Sequence, residues 1–264
     1  MGTRRIERSN SVGPETAESV VRQLASVGNA DWIAGMRQFG IVSEKVLGIS
    51  VPELRRTARR LGRNHELADQ LWRSGVFEAR LIAAMIDDPN RVTISQMERW
   101  ARDFDSWAIV DGCCQDLFVR TSYAWNKAFE WSARSKEYVK RAGFALVAKL
   151  AVHDRTAADT EFNRFLQVIE REAHDERPYV RKAVNWALRE IGKRNETLRN
   201  RAIATAARVH RQGTSAARWI ASDALRELRS DEVRRRLRTR SLPVHARALS
   251  TSPRSSSQRP RARS

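Results

Sequence analysis

The chain has 264 residues, of which 41% are hydrophobic and 30% charged, and its formal net charge is +18. This composition fits a water-soluble folded protein with room for one large domain or two small ones. No run approaches the roughly 18 apolar residues of a membrane span, and residues 1–13 lack the apolar segment of a signal peptide. A net charge this high is typical of proteins that bind a polyanion, most often nucleic acid.

The positive charge is spread along the chain rather than confined to its end. The last 24 residues carry five arginines and no acid, yet a surplus of thirteen positive charges remains on the rest. Only seven of the 49 basic residues are lysine. Arginine suits phosphate because its planar group binds two oxygens at once. A GC-rich genome would also favour arginine over lysine, but it would not explain the sign of the net charge.

Cysteine and histidine usage argues against disulfides and metal centres. The two cysteines, Cys113 and Cys114, are adjacent, and neighbours in a helix cannot easily form a disulfide. The five histidines are scattered without the spacing of a metal motif. We therefore expect a reducing, cytoplasmic location, no metal site and no other cofactor.

From residue 14 to residue 238, apolar residues recur at helical spacing, and no alternating stretch is long enough to predict a sheet. Ser50 with Glu53 and Thr93 with Gln96 fit capping boxes, and Pro178 fits a first helical position. The predicted helices are, in chain order, Glu15–Val27, Ala30–Gln38, Val51–Leu61, Glu66–Arg73, Phe77–Ile86, Ile94–Arg102, Ser106–Arg120, Tyr123–Ala133, Lys136–His153, Ala158–Glu172, Pro178–Arg194, Glu196–Arg211, Ala216–Arg229 and Asp231–Arg238.

Short helices in antiparallel pairs, joined by short linkers, predict an all-α fold. The pattern favours an α-solenoid of HEAT-like helix pairs with a concave basic groove. We place this domain at residues 14–238. Residues 1–13 and the Ser-, Pro- and Arg-rich tail 239–264 are expected to be disordered.

Three predicted helices carry side chains that have both a structural and a functional interpretation. Trp107 and Asp111 lie one turn apart at the edge of an apolar face, where a carboxylate is costly unless it is paired or used. Arg141 opens an apolar helix and has only small neighbours on its face. Its guanidinium could reach a carboxylate or a phosphate, or form a structural ion pair. Taken alone, the Trp107–Asp111 pair is more often architecture than catalysis.

The helix that begins at Pro178 places Trp186 outside its core stripe. An indole among cations is typical of a nucleic-acid or cation-binding face, although Trp186 could instead pack against the next helix pair or be covered by arginine stems. Its stripe is shared with Tyr179, Lys182, Arg189 and Lys193. The other tryptophans are predicted to pack between helices: Trp32, Trp72, Trp100, Trp125, Trp131 and Trp219.

Several short segments, in their order and spacing, resemble the AlkD-type DNA alkylation repair glycosylases, a family built of HEAT-like repeats. The resemblance covers roughly residues 31–228. The matching segments are Phe39-Gly40-Ile41, Leu47-Gly48-Ile49-Ser50-Val51-Pro52-Glu53-Leu54-Arg55, Leu71-Trp72 with Glu78-Ala79-Arg80, Trp107-x-x-x-Asp111, Val139-Lys140-Arg141-Ala142 and Lys182-Ala183-Val184-Asn185-Trp186-Ala187-Leu188-Arg189-Glu190.

In that family an Asp and a Trp one turn apart, an Arg on a later central helix and a second Trp line the DNA-binding groove. The resemblance carries these roles to Asp111, Trp107, Arg141 and Trp186, with catalysis assigned to Asp111 and the two indoles. It implies a partner, duplex DNA containing alkylated bases, and a monomeric protein associated with the nucleoid when bound. The DNA-binding candidates are Arg141, Lys182, Arg189, Lys193 and Tyr179.

The implied reaction hydrolyses the N-glycosidic bond of cationic purines such as 3-methyladenine or 7-methylguanine and leaves an abasic site. Because the base already carries positive charge, it needs no general acid to leave. Asp111 would stabilise the charge that develops on the deoxyribose and could orient the attacking water, the indoles would cradle the sugar, and Arg141 would hold a flanking phosphate. No lysine belongs to this four-residue group, so we expect a monofunctional enzyme without strand cleavage.

A rival interpretation is a non-catalytic HEAT-repeat scaffold that binds DNA or a protein. It explains the charge and the solenoid equally well, but it gives no reason for a carboxylate and two indoles at these positions. Some branches of the resembled family lack glycosylase activity. Retention of all four positions in this chain argues against such a loss.

Overall fold

A computed structural model describes residues 15–241, which fold into fourteen α-helices and one 3₁₀ helix with no β-strand among them. None of the described helices is both long and apolar enough to cross a membrane. The α-helices are α1 (Ala17–Ser26), α2 (Ala30–Gln38), α3 (Val51–Leu61), α4 (His65–Arg73), α5 (Phe77–Ile86), α6 (Ile94–Arg102), α7 (Trp107–Asp116), α8 (Ala124–Ser132), α9 (Glu137–His153), α10 (Asp159–Glu172), α11 (Pro178–Gly192), α12 (Glu196–Arg211), α13 (Ser215–Leu228) and α14 (Asp231–Ser241), and the 3₁₀ helix is Phe118–Arg120.

The helices stack in two layers. In one, the inner layer, α3, α5, α7, α9, α11 and α13 pack side by side in chain order, and in the other α8, α10 and α12 follow one another behind it. This arrangement of helix pairs confirms the predicted all-α solenoid. Helix α14 runs to residue 241, so the first three residues of the tail predicted to be disordered, 239–264, are helical. The rest of that tail and the predicted disordered segment 1–13 lie outside the described residues.

Helix α9 lies at the centre of the inner layer. Twelve of its seventeen residues are buried, among them Lys140 and Arg141. Gly143 allows α8 to pack directly on it, because a Cβ there would lie 2.4 Å from the backbone nitrogen of Ser132. Close packing on both sides fixes the position of α9, and with it the position of Arg141.

Two segments that carried the family resemblance are joined by one buried carboxylate. Glu78, on α5, accepts backbone hydrogen bonds from Leu47 at 2.9 Å, Gly48 at 2.8 Å and Ile49 at 3.3 Å. A fully buried carboxylate is tolerated only when such donors satisfy it. These bonds fix the linker between α2 and α3 against the inner layer.

A second motif anchors the loop that precedes α7. The indole Nε1 of Trp72 donates to Asp103 Oδ2 at 2.9 Å, and Arg80 Nη1 donates to the Asp103 carbonyl at 3.3 Å. The Arg80 guanidinium lies 5.2 Å from the centre of the Trp72 ring, which stacks on Trp100 at 4.0 Å. The start of α7 is thereby held to the aromatic core.

Helix α7 is shorter than predicted. It ends at Asp116, and residues Phe118–Arg120 form a 3₁₀ turn instead of continuing it. Phe118 is fully buried, with its ring centre 6.1 Å from that of Trp100 and 5.8 Å from that of Trp131. Packing of this ring into the aromatic core redirects the backbone, which is a tertiary effect that helix periodicity does not reveal.

The predicted helix caps are confirmed in part. Pro178 is the first residue of α11, and the Thr93 hydroxyl accepts from the Gln96 backbone at 3.2 Å. The Gln96 side chain bonds to Asp87 rather than back to Thr93, so the full box is not formed. The box at Ser50 was wrong: Ser50 makes no side-chain cap bond, and Glu53 pairs with Arg56 instead.

The predicted packing of the tryptophans holds for the middle of the solenoid and fails at its ends. Trp72, Trp100 and Trp131 are fully buried, whereas Trp32 is 54% exposed and Trp219 is 39% exposed. Trp32 belongs to α2, which has no buried residue. Trp219 belongs to α13, which only α14 follows among the described residues. Terminal repeats lack the next helix pair that would cover such a ring.

Candidate active site

The sequence of α7 sets the spacing of its two candidate residues. The Ser106 side chain accepts from the Ile109 backbone at 3.4 Å and caps the helix. Trp107 therefore stands in the first turn and Asp111 one turn later on the same side. The Asp111 side chain is 25% exposed, so its carboxylate remains accessible from the inner face of the solenoid.

Arg141 holds Asp111 in a two-point ion pair. Its Nε donates to Oδ1 at 3.0 Å and its Nη2 donates to Oδ2 at 2.8 Å. The remaining nitrogen, Nη1, donates to the Tyr179 carbonyl at 2.8 Å. The Arg141 side chain is only 7% exposed. A single guanidinium thus ties α7, α9 and α11 together and orients the Asp111 carboxylate.

The family resemblance implies that Arg141 holds a DNA phosphate, but in the structure Arg141 pairs with a carboxylate of the protein itself. All three of its nitrogens bond to the protein itself, so the side chain acts on Asp111 in the DNA-free protein. Its contact with a DNA phosphate stays a prediction.

Trp107 is fixed by the turn that follows α2. Its indole Nε1 donates to the Phe39 carbonyl at 2.9 Å, and the Arg141 Cζ lies 5.9 Å from its ring centre. The Tyr179 hydroxyl donates to the next carbonyl, that of Gly40, at 3.4 Å. Gly40 has φ of +76°, and a Cβ there would lie 1.9 Å from that hydroxyl, so only glycine fits.

Residues 39–41 carry part of the family resemblance, but the sequence did not indicate that they belong to the site. They belong to the wall of an open cavity of about 540 Å³ between this turn and the inner layer. The signal in the sequence was a phenylalanine followed directly by a glycine, Phe39-Gly40. The cavity is lined by Arg37, Gln38, Phe39, Gly40, Trp107, Arg141, Tyr179 and Lys182.

The cavity is basic. Three of the residues that line it are cationic and none is acidic, while the Asp111 carboxylate lies beside it, on Arg141. Lys182 is exposed and has no carboxylate within 4 Å among the described residues. The four-residue group predicted from the sequence contains no lysine, but Lys182 does line the cavity next to Trp107 and Arg141.

Trp186 lies farther along the inner layer than the other three residues of the predicted group. It is partly buried, and the Lys149 Nζ is 4.7 Å from its ring centre. Lys149 also donates to Gln115 at 2.5 Å, and Gln115 stands one turn beyond Asp111 on α7. Trp186 does not line the cavity, and its assignment to catalysis stays a prediction.

Arg189 and Lys193 form ion pairs with acidic residues of α11 and α13. Arg189 pairs with Glu227, and its Nε lies 3.7 Å from Asp223. Lys193 bonds to Glu190 at 2.7 Å and to Glu227 at 2.9 Å. These two predicted DNA ligands therefore belong to an ion-pair network between α11 and α13, away from the cavity, and their role in DNA binding stays a prediction.

The two cysteines contribute no reactive group. Both are fully buried, and this burial raises the pKa of the Cys113 and Cys114 thiols well above its ordinary value, so both stay protonated and poorly nucleophilic. Among the described residues, no group of His, Cys, Asp and Glu side chains is arranged to hold a metal ion.

Comparison with known proteins identifies the fold and the family of the chain. A search of curated proteins found no match. A solved structure described as "a new family of proteins related to the HEAT-like repeat DNA glycosylases with affinity for branched DNA structures" superposes with a TM-score of 0.68 at 19% identity, over 81% of this chain and 95% of that one. The family model for the DNA alkylation repair enzyme matches residues 20–228. The chain therefore belongs to the DNA alkylation repair enzyme family.

Proposed function

We propose that this protein is a DNA glycosylase that hydrolyses the N-glycosidic bond of cationic alkylated purines in duplex DNA, such as 3-methyladenine and 7-methylguanine. Membership of the DNA alkylation repair family supports the reaction class. The observation that carries the proposal is the two-point pairing of Asp111 with Arg141 beside the Trp107 ring, at the edge of a basic cavity.

Asp111 is the catalytic residue of the proposal. A cationic purine is already a good leaving group, so the protein must mainly stabilise the positive charge that develops on the deoxyribose. Each carboxylate oxygen of Asp111 accepts one hydrogen bond from Arg141 and keeps a further lone pair for the sugar or for a water molecule. Since Arg141 fixes the carboxylate before the substrate arrives, little reorganisation is needed during the reaction.

Trp107 supplies a fixed aromatic wall. The bond from its indole N–H to the Phe39 carbonyl sets the orientation of the ring, whose negatively polarised face can lie against the cationic sugar. Arg37 and Lys182, both exposed in the cavity, would contact phosphates on either side of the lesion.

The product we propose is an abasic site in an unbroken strand. Lys182 lines the cavity but is exposed, whereas a lysine that forms a Schiff base is usually desolvated so that its amine is neutral. Borohydride trapping tests this point directly. A covalent adduct that disappears in Lys182→Gln would show a bifunctional lyase instead.

The decisive experiment measures the release of 7-methylguanine and 3-methyladenine from methylated duplex DNA by the wild-type protein and by Asp111→Asn. We expect a loss of at least about 100-fold in single-turnover rate. Asp116→Asn is the matched control, because Asp116 lies on the same helix but pairs with Arg55, 3.4 Å away. Equal rates for Asp111→Asn and wild type would contradict the assignment of Asp111.

The second candidate is a scaffold that binds branched DNA without chemistry. It is favoured by the affinity for branched DNA ascribed to the structurally similar protein. A wild-type protein that releases no alkylated base, but binds a four-way junction more tightly than a linear duplex of equal length, would support the scaffold over the enzyme.

A further inference from the structure

Four successive inner helices each present an aromatic side chain in their first two turns. Trp107 stands on α7, Tyr138 on α9, Tyr179 on α11 and Trp219 on α13. We call these four residues the aromatic row. Tyr138 and Tyr179 have ring centres 5.7 Å apart, and Arg141 bridges from the Trp107 ring to the Tyr179 carbonyl. At the usual helix spacing of 8–10 Å, the row spans roughly 25–30 Å.

The far end of the row is an exposed stacking platform. Trp219 is 39% exposed, although periodicity had predicted that it would be packed between helices. The Arg181 guanidinium lies 5.3 Å from its ring centre. The Arg181 Nε is buried and has no hydrogen-bond partner among the described residues. A partly exposed indole beside a guanidinium whose Nε is buried and unpaired is more costly than an ordinary surface contact unless a ligand uses it.

Charge along the row favours a nucleic-acid strand. Lys182 and Arg218 are exposed next to Tyr179 and Trp219, and neither has a carboxylate within 4 Å among the described residues. At the other end, burial raises the pKa of Tyr138, and the negative charges of Glu137 and Asp105 add to this effect. At the α11 and α13 end the acids Glu190, Asp223 and Glu227 are paired with cations. We therefore expect phosphates to lie toward that end, on Lys182 and Arg218, with bases against the rings.

We propose that the aromatic row binds a single-stranded DNA segment that leaves the duplex at the site, with an unpaired base stacked on Trp219 and its phosphate on Arg181. Paired bases keep their faces within the helix, so a stacking platform selects unpaired nucleotides. The proposal rests on the DNA binding in the proposed function but not on the chemistry of Asp111. It assigns to this chain a preference for DNA in which a duplex adjoins a single strand.

The test compares the dissociation constants of two labelled probes by fluorescence polarisation at fixed salt. One is a blunt duplex, and the other is the same duplex with a single-stranded extension. Wild type should bind the extended probe more tightly. Trp219→Ala should weaken binding of the extended probe by about tenfold, while Trp219→Phe, which keeps a ring, should restore most of it. Arg181→Gln should also weaken it, and Arg226→Gln, a cation on the same helix with a 78% exposed side chain, should change it less than about twofold.

Two results would overturn the proposal: equal affinity of the wild type for both probes, or equal losses in Trp219→Ala on both probes. Thermal unfolding of each variant checks that Trp219→Ala remains folded, and Arg181→Gln keeps the test valid if it does not. The base-release assay is separate. A wild-type protein that discriminates between the probes but releases no base would refute the glycosylase proposal alone.

Discussion

Two buried cations, Lys140 and Arg141, stand next to each other on α9 and bond to different neighbours. Lys140 bonds to Glu172 at 2.7 Å and to Asp175 at 2.9 Å, and these partners have side-chain exposures of 12% and 8%. Arg141 pairs with Asp111 on the inner side, where the carboxylate is 25% exposed and a cavity adjoins the pair. Both are buried ion pairs on one rigid helix, so burial and pairing by themselves do not distinguish structure from function.

The difference lies in what surrounds each pair. The acids around Lys140 are saturated by further donors: Arg177 bonds to Asp175 at 2.6 Å and 2.9 Å, and Arg171 bonds to Glu172 at 2.6 Å. The Asp111 carboxylate has one protein partner, Arg141, among the described residues, and an indole beside it. A carboxylate that is oriented but still open to one side is what charge stabilisation of a bound sugar requires.

The sharpest test of this comparison is Arg141→Lys. Lysine keeps the charge but loses the two-point geometry and the bond to the Tyr179 carbonyl. We expect the single-turnover rate of base release to fall by about 100-fold, while the dissociation constant for undamaged duplex changes less than about threefold. A structural role alone would not separate the rate from the affinity in this way. A wild-type rate in Arg141→Lys would show that the orientation of Asp111 is unimportant.

The other buried pair should behave in the opposite way. Asp175→Asn is expected to lower the free energy of unfolding by about 3 kcal/mol at pH 7 and to leave the rate of base release per folded molecule unchanged. Chemical denaturation with circular dichroism, combined with the base-release assay, measures both quantities. A rate loss comparable to that of Arg141→Lys would remove the distinction between the two pairs.

The pH dependence of Asp175→Asn follows from the same contacts. Burial by itself would raise the pKa of Asp175, but hydrogen bonds from Arg177 and Lys140 outweigh burial and hold the pKa well below the usual value. The folded state therefore prefers the charged form, so this stabilisation is present above the unfolded pKa of about 3.9 and is lost as the pH falls below it. The stability gap between wild type and Asp175→Asn should shrink below about pH 4. A gap independent of pH would argue against an ionised Asp175.

Much of the architecture was readable from the sequence because each helix carries its own periodic pattern. The helix boundaries of α2, α3, α5 and α6 match the predicted ranges. One misfit depends on a tertiary contact: α7 ends at Asp116 because Phe118 packs into the aromatic core, and helix periodicity does not contain that contact. The other misfit is local: Ser50 makes no cap bond, and Glu53 pairs with Arg56 three residues later on the same helix.

The sequence predicted most residues of the site, but it did not predict all of the contacts that they make with other helices. Spacing placed Trp107 and Asp111 on one face, and the small neighbours of Arg141 allowed a reach to a carboxylate, a contact that the structure contains. The wheel of α11 grouped Lys182 with Arg189 and Lys193, but it could not show that Glu227, about 35 residues later on α13, pairs with the last two. Partners on other helices decide whether a cation is available to DNA.

The smallest effect that we predict follows from the different partners of Lys182 and Lys193. Lys182→Gln should reduce the slope of log Kd against log salt concentration by about 1 and weaken duplex binding severalfold, because an exposed cation releases one counterion when it meets a phosphate. Lys193→Gln should leave the slope unchanged, since Lys193 already bonds to Glu190 and Glu227. Titrations of undamaged duplex at several salt concentrations measure both. An equal slope change in Lys193→Gln would mean that DNA binding opens the network between α11 and α13, so that Arg189 and Lys193 exchange their carboxylate partners for phosphates.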